Sequence, residues 1–260
     1  MSYKNMEELI EVIKILRSEN GCVWDRAQTH QTLIPNMLEE ACEAIEAIKE
    51  NNPAHIREEL GDVLLQVILH AQIAKDNNEF DIEDVAKELK DKLIHRHPHV
   101  FGNVKADTPQ QVINNWEELK KEEKTDRNSQ MDGIPKTLPA LMMCQKISKR
   151  AVKVGFEWDK TETLTDCIKS EYAEFFEAVE QQNKKAMIEE MGDIFFATVN
   201  LARWYKIDAE QALIDANNTF MKRFRKMEEL AEKPLTEYSF DEYDKLWKKA
   251  KAEIYKESNK

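Results

Sequence analysis

At 260 residues the chain is long enough for one large domain or two ordinary ones, and a 42% hydrophobic share can bury a core, which excludes wholesale disorder. A net charge of −12 argues against nucleic acid or an anionic membrane as partner. With only 6 Gly and no GxGxxG or GxxxxGKS/T run, the phosphate loops of Rossmann and P-loop proteins are excluded as well.

The opening stretch MSYKNMEELIEVIKILRSEN carries charges throughout, has no leader-like apolar run, and sets Met6, Leu9, Ile10, Ile13 and Leu16 at helical spacing. Next comes Gly21-Cys-Val-Trp24-Asp25, where Trp24 and Asp25 are expected to pack and cap. LIPNMLEEACEAIEAIKE repeats the helical period with Leu38, Cys42, Ile45 and Ile48. IREELGDVLLQVILHAQIA is apolar nearly all round after Asp62, as in a helix buried on most faces. Its apolar run is broken by Gln66, His70 and Gln72 and is too short to span a bilayer. DIEDVAKELKDKLIHR has Asp81 as its N-cap. Pro98 then makes His95, His97 and His99 a helix-ending turn rather than a metal-binding strand. A helix over 110–123 and a polar, turn-rich linker lead to a further helix over 138–153. No segment alternates with period two, so the expected class is all-α. Cys22, Cys42, Cys144 and Cys167 form no CxxC pair and read as reduced thiols, which places the chain in the cytoplasm.

The chain repeats itself. Glu59-Leu-Gly-Asp62 returns as Glu190-Met-Gly-Asp193 at an offset of 131, and Glu40 and Glu43 return as Glu171 and Glu174 at the same offset. Gly21 to Asp25 matches Gly155 to Asp159, and Leu93 to Arg96 matches Phe220 to Arg223, at offsets of 134 and 127. Trp158 with Asp159 is expected to pack and cap as Trp24 with Asp25 does. Two copies of one helical module follow: residues 1–123, a linker over 124–137, and residues 138–260.

Side chains advance about 100° per helical residue, so Glu39, Glu40 and Glu43 crowd one side of their helix, and Glu59 and Asp62 share a face of the next. Two helices joined by a short turn pack antiparallel and bring these carboxylates together. Glu59 and Asp62 open the most apolar helix and should be partly desolvated. Two like charges about 5 Å apart at an effective dielectric near 20 repel by about 3 kcal/mol, so such a cluster needs protons or a cation. All-oxygen ligands favour Mg²⁺ or Mn²⁺ over Zn²⁺, and the Glu-x-x-His pairs of a di-iron bundle are absent. Mg²⁺ so held shares its remaining positions with water and phosphates, which points to phosphate chemistry.

EExxE followed by ExxD, the run GCVWD and the run HRHPHVF together resemble the MazG family of nucleoside triphosphate pyrophosphohydrolases, over nearly the whole chain. The resemblance implies two tandem four-helix modules, Mg²⁺ dependence with Mn²⁺ as substitute, a homodimer in which each site is completed by the partner, and cleavage of nucleoside triphosphates to monophosphate and pyrophosphate. It implies Glu40, Glu43, Glu59 and Asp62 as metal ligands in the first module, and Glu171, Glu174, Glu190 and Asp193 in the second. Glu39, which would position or deprotonate the attacking water, has Ser170 as its counterpart, with Glu189 as the acid that could stand in. For the triphosphate the resemblance points to Lys222 and Arg223, with Lys92 and Arg96 at the similar place in the first module, and to Trp247 as a base-stacking residue. Ser170 also keeps open a rival reading, a nucleotide-sensing module in which one or both copies bind without turnover.

Overall fold

The computed structural model describes residues 3–123 and 128–258, which form twelve α-helices and no strand, as the sequence leads one to expect. The chain divides into two compact units, Met1–Thr125 and Asp126–Lys260. Of the expected linker, residues 124–127 lie outside the described residues and 128–137 run as turns. No described helix is long and apolar enough to cross a membrane.

The first unit opens with α1 (Lys4–Arg17), the five-residue α2 (Val23–Ala27), α3 (Ile34–Glu50) and α4 (Pro53–Asp76). Gly21 sits where an added Cβ would lie 2.2 Å from the Leu16 carbonyl oxygen, so the chain leaves α1 tightly only because no side chain is there. Trp24 departs from expectation: it is 57% exposed, because α2 is too short to turn a face toward the core. α3 packs along α4 and α1 lies on α4. Ile13, Leu33, Ile68, Leu69 and Ile73 form the buried core, flanked by Leu9, Leu16 and Leu64, each fully buried side chain contributing about 1.5–3 kcal/mol. The α3–α4 turn uses Asn51 in the left-handed region at φ 54°, then Asn52, whose Oδ1 accepts from the Ala54 and His55 amides, then Pro53 at the first helical position. His30 Nδ1 and His70 Nδ1, 2.8 Å apart, clip the segment before α3 to α4. Burial, then the charge of His30, holds the His70 imidazole below its ordinary range.

α5 (Ile82–Arg96) starts on a capping box made by Asp81 and Asp84, and ends at the four-residue α6 (Pro98–Phe101). α7 (Pro109–Glu122) packs on α5. Their tie is Arg96, which is buried; its Nε donates to both Glu123 carboxylate oxygens at 3.1 Å, its Nη2 donates to Oε2, and the guanidinium lies 5.3 Å from the Trp116 ring centroid. The three histidines close the helix end as expected. His95 Nδ1 faces Glu123, His97 Nδ1 meets the Leu93 carbonyl at 2.7 Å, and no described cluster draws them together around an ion.

The second unit comprises α8 (Ala140–Val152), α9 (Thr161–Glu180), α10 (Lys184–Trp204), α11 (Ala209–Leu230) and α12 (Phe240–Ser258), the last preceded by a short 3₁₀ turn. Gly155 holds φ 88° just after α8, a conformation that favours glycine. α9 pairs with α10, α8 lies against α10, and α11 pairs chiefly with α12. Gln145 of α8 bridges the α10–α11 turn, its amide donating to the Ile207 carbonyl at 2.8 Å and accepting from the Ala209 amide at 3.2 Å. Met227, Leu246 and Ala250 form the buried centre of the α11–α12 pair, with Trp247 and Tyr243 against them. The α9–α10 turn repeats the device of the first unit. Gln182 takes φ 55°, and Asn183 Oδ1 accepts from the Ala186 amide at 3.2 Å.

Candidate functional site

The turn at 51–52 folds α4 back on α3 and sets Glu59 opposite Glu40 and Glu43, with one oxygen of each within 4.8 Å of the others. Glu59 is 8% exposed, on the helix that packs along α3. Its Oε1 lies 3.1 Å from His55 Nε2, while its Oε2 is buried with no partner. His55 reaches Glu50 Oε2 with its other ring nitrogen, at 2.9 Å, and the Glu50 hydrogen bond is the main reason that its pKa is raised. Asp62 is outside the trio but near enough for its charge to act on Glu40 and Glu43. Exposed Glu39 acts on the same two carboxylates.

The second unit rebuilds the trio from Glu171, Glu174 and Glu190, again within 4.8 Å. Its neighbours differ. Ser170 donates its hydroxyl to Glu174 Oε1 at 2.8 Å, and the Cys167 thiol points to Glu171 Oε1 at 3.5 Å. Glu189 lies 3.7 Å from Lys185 on the exposed side of α10 and reaches Glu190 only through its charge. Asp193, which also opens the apolar part of its helix, is exposed, whereas its counterpart Asp62 is half-buried.

Like charges leave a titration signature. Loss of hydration, then the charges of Asp62 and Glu43, raises Glu40; loss of hydration, then Glu59, raises Glu43; loss of hydration, then Glu174, raises Glu190. A carboxyl with a raised folded-state pKa binds its proton more tightly folded than unfolded, so it weakens stability as pH rises from the unfolded value, near 4.5, through the raised value. In chelator, Glu43→Gln is therefore expected to match the parent in Tm near pH 4.5 and to lie above it at pH 7. Scanning calorimetry checks this, and a Tm difference that shrank with rising pH would contradict the repulsion.

The donor set suits a hard divalent cation. Each trio offers only carboxylate oxygens, and the buried orphan on Glu59 is a polar atom that a cation would satisfy.

The cations divide differently. Lys222 and Arg223 of α11 meet Lys248, Lys251 and Lys256 of α12 around a cleft of about 680 Å³, with Tyr255 at its wall. Lys248 is paired with Asp244 at 2.6 Å, whereas Arg223 has no ion pair among the described residues. In the first unit Lys92 lies 3.6 Å from Glu88 on an exposed helix face, whereas Arg96 is buried and held by Glu123 rather than left open to a phosphate. For Arg96 the difference lies in one residue of the repeat. Trp116 and Trp247 stand 131 apart; seven residues after them, the first copy has Glu123 and the second has Ile254. Trp247 lies 5.2 Å, centroid to centroid, from Phe220 and belongs to the packed α11–α12 core. The residues that sequence reasoning missed are His55, whose place four before Glu59 on one helix was the readable signal, and the α12 lysines, which nothing local marks.

The family model for the MazG nucleotide pyrophosphohydrolase domain matches twice, at residues 28–101 and 159–231, each match containing one trio. The chain is 45% identical over 249 residues to the nucleoside triphosphate pyrophosphohydrolase/pyrophosphatase MazG of Thermotoga maritima, covering 94% of this chain and 95% of that one. It is 39% identical over 254 residues to the nucleoside triphosphate pyrophosphohydrolase of Escherichia coli K12, covering 95% and 97%. It is also 46% identical over 257 residues to the uncharacterized protein YabN of Bacillus subtilis, covering 96% of this chain and 52% of that longer one.

Proposed function

We propose, for a chain that belongs to the MazG family of nucleotide pyrophosphohydrolases, hydrolysis of nucleoside triphosphates between the α- and β-phosphates, releasing the monophosphate and pyrophosphate. The observation that carries this reading is the doubled carboxylate trio, in which Glu59 keeps a buried oxygen without a partner. Glu40, Glu43 and Glu59, with Asp62, would hold Mg²⁺ or Mn²⁺ in the first module, and Glu171, Glu174 and Glu190, with Asp193, would hold it in the second. When bound, the cation supplies acidification of the attacking water and neutralisation of charge on the leaving pyrophosphate.

The chain's own residues do the rest. Glu39 stands beside the trio as an exposed carboxylate able to orient a water and take its proton. In the second module Ser170 cannot take that proton at neutral pH, and Glu189 is engaged with Lys185. Lys222 and Arg223 fix phosphate oxygens, Arg as a planar fork and Lys as a point charge. The reaction acts on the triphosphate, to which the nucleobase contributes little, so NTPs and dNTPs alike are expected substrates. Phe176, Phe195 and Phe196 stay exposed on α9 and α10, which favours a homodimer that covers them.

Incubation with Mg²⁺ and each NTP or dNTP, followed by separation of the products, tests the reaction. Monophosphate and pyrophosphate in equal amounts are expected, and diphosphate with orthophosphate would refute it. The hydroxyl of Ser170 on Glu174 favours a second reading for the second module alone, nucleotide binding without turnover. Asp193→Ala would then leave the product yield unchanged, whereas Asp62→Ala would abolish it.

A further inference from the structure

We propose that His55 is a positioning residue for the divalent cation of the first module, holding Glu59 by one oxygen so that the other is presented to the ion, and that the second module, which lacks it, binds the cation more weakly. The inference rests on the metal-dependent reading above and assigns a difference between the copies that the trios alone do not contain.

The geometry begins at the turn. Asn52 caps α4 and accepts from the His55 amide at 3.4 Å, which fixes the backbone from which the ring projects. His55 and Glu59 are four apart and share a helix face. The ring spans from Glu50, the last residue of α3, to Glu59 on α4, at 2.9 Å and 3.1 Å. It is thus tied to both helices of the hairpin. With Oε1 engaged, the Glu59 carboxylate cannot spin freely, and Oε2 is left buried with no hydrogen-bond partner among the described residues. A ligand oxygen arranged before the ion arrives loses less freedom on binding than one that must be ordered by it.

The second copy has no such brace. The counterparts of His55 and Glu50, 131 residues on, are Ala186 and Gln181. No hydrogen bond reaches the Glu190 carboxylate among the described residues, and the oxygens that do take bonds belong to Glu171 and Glu174, from Cys167 and Ser170 on their own helix. Among the described residues, nothing holds the carboxylate that closes the trio from α10.

Titration of the full chain with Mn²⁺, without nucleotide, read by the electron paramagnetic resonance of the free ion, tests this directly. The parent is expected to show a tighter and a weaker class of site. Removing a hydrogen-bond partner of a metal ligand typically weakens binding about 10–100-fold, so His55→Ala should weaken the tighter class by about tenfold or more. His55→Gln keeps a donor four residues before Glu59 and should recover most of that loss, which a merely structural role would not require. Ala186→His should tighten the weaker class. Parent-like uptake by folded His55→Ala, or equal loss in His55→Gln, overturns the inference. Should His55→Ala lose its circular dichroism, Ala186→His decides, and an unchanged weaker class overturns the proposal. No Mn²⁺ uptake by the parent would instead overturn the metal-dependent reading itself.

Discussion

Glutamine at positions 59 and 190 together is expected to lower kcat/KM for pyrophosphate release about a thousandfold, roughly 4 kcal/mol of barrier. Each residue closes its trio from the helix opposite to the one carrying the other two acids, so a neutral amide there removes one charge from each site at unchanged volume. The single variants apportion turnover between modules. The loss should not come from unfolding, because relieving the repulsion is expected to hold or raise the Tm in chelator. A double variant retaining more than about a tenth of parental turnover would show that the trios are not where the cation acts.

Two arginines at equivalent places in the repeat are expected to fail in opposite ways. Arg96→Ala should destabilise the protein by about 3 kcal/mol, since it strands Glu123 and uncovers Trp116. Glu123, held down to about 2 mainly by its hydrogen bond from Arg96, is the acid-sensitive side of this tie; its contribution is present above about 4.5 and is lost as pH falls toward 2. Arg223→Ala should leave the Tm near the parent's and lower kcat/KM about 10–100-fold, the worth of one or two charge-assisted hydrogen bonds to phosphate. Thermal denaturation and steady-state kinetics on both variants separate the roles. A Tm loss in Arg223→Ala equal to that in Arg96→Ala would remove Arg223 from the phosphate site.

The trios were legible because their information is local. Spacings of three, four and sixteen residues on two helices joined by a short turn leave little choice about what faces what, and the repeat states the answer twice. Ser170 was legible for the same reason. Arg96 was not, since its partner lies 27 residues away on a helix that any reading of α5 alone omits. The α12 lysines reach Lys222 and Arg223 only through the reversal between α11 and α12. Asp193 shows the limit of inferring burial from neighbours: α10 is apolar after it, yet the side chain remains exposed.

Asn51 and Gln182, each in the left-handed region between the two acid-bearing helices of its module, bear on how an empty site behaves. A reversal closed in so few residues, through one residue in the left-handed region, sets the acid-bearing helices side by side. A proton or an ion relieves the repulsion among the carboxylates. The hairpin thus works as a spacer: a proton or an ion reaching the site meets carboxylates whose backbones the turn has already set across from one another.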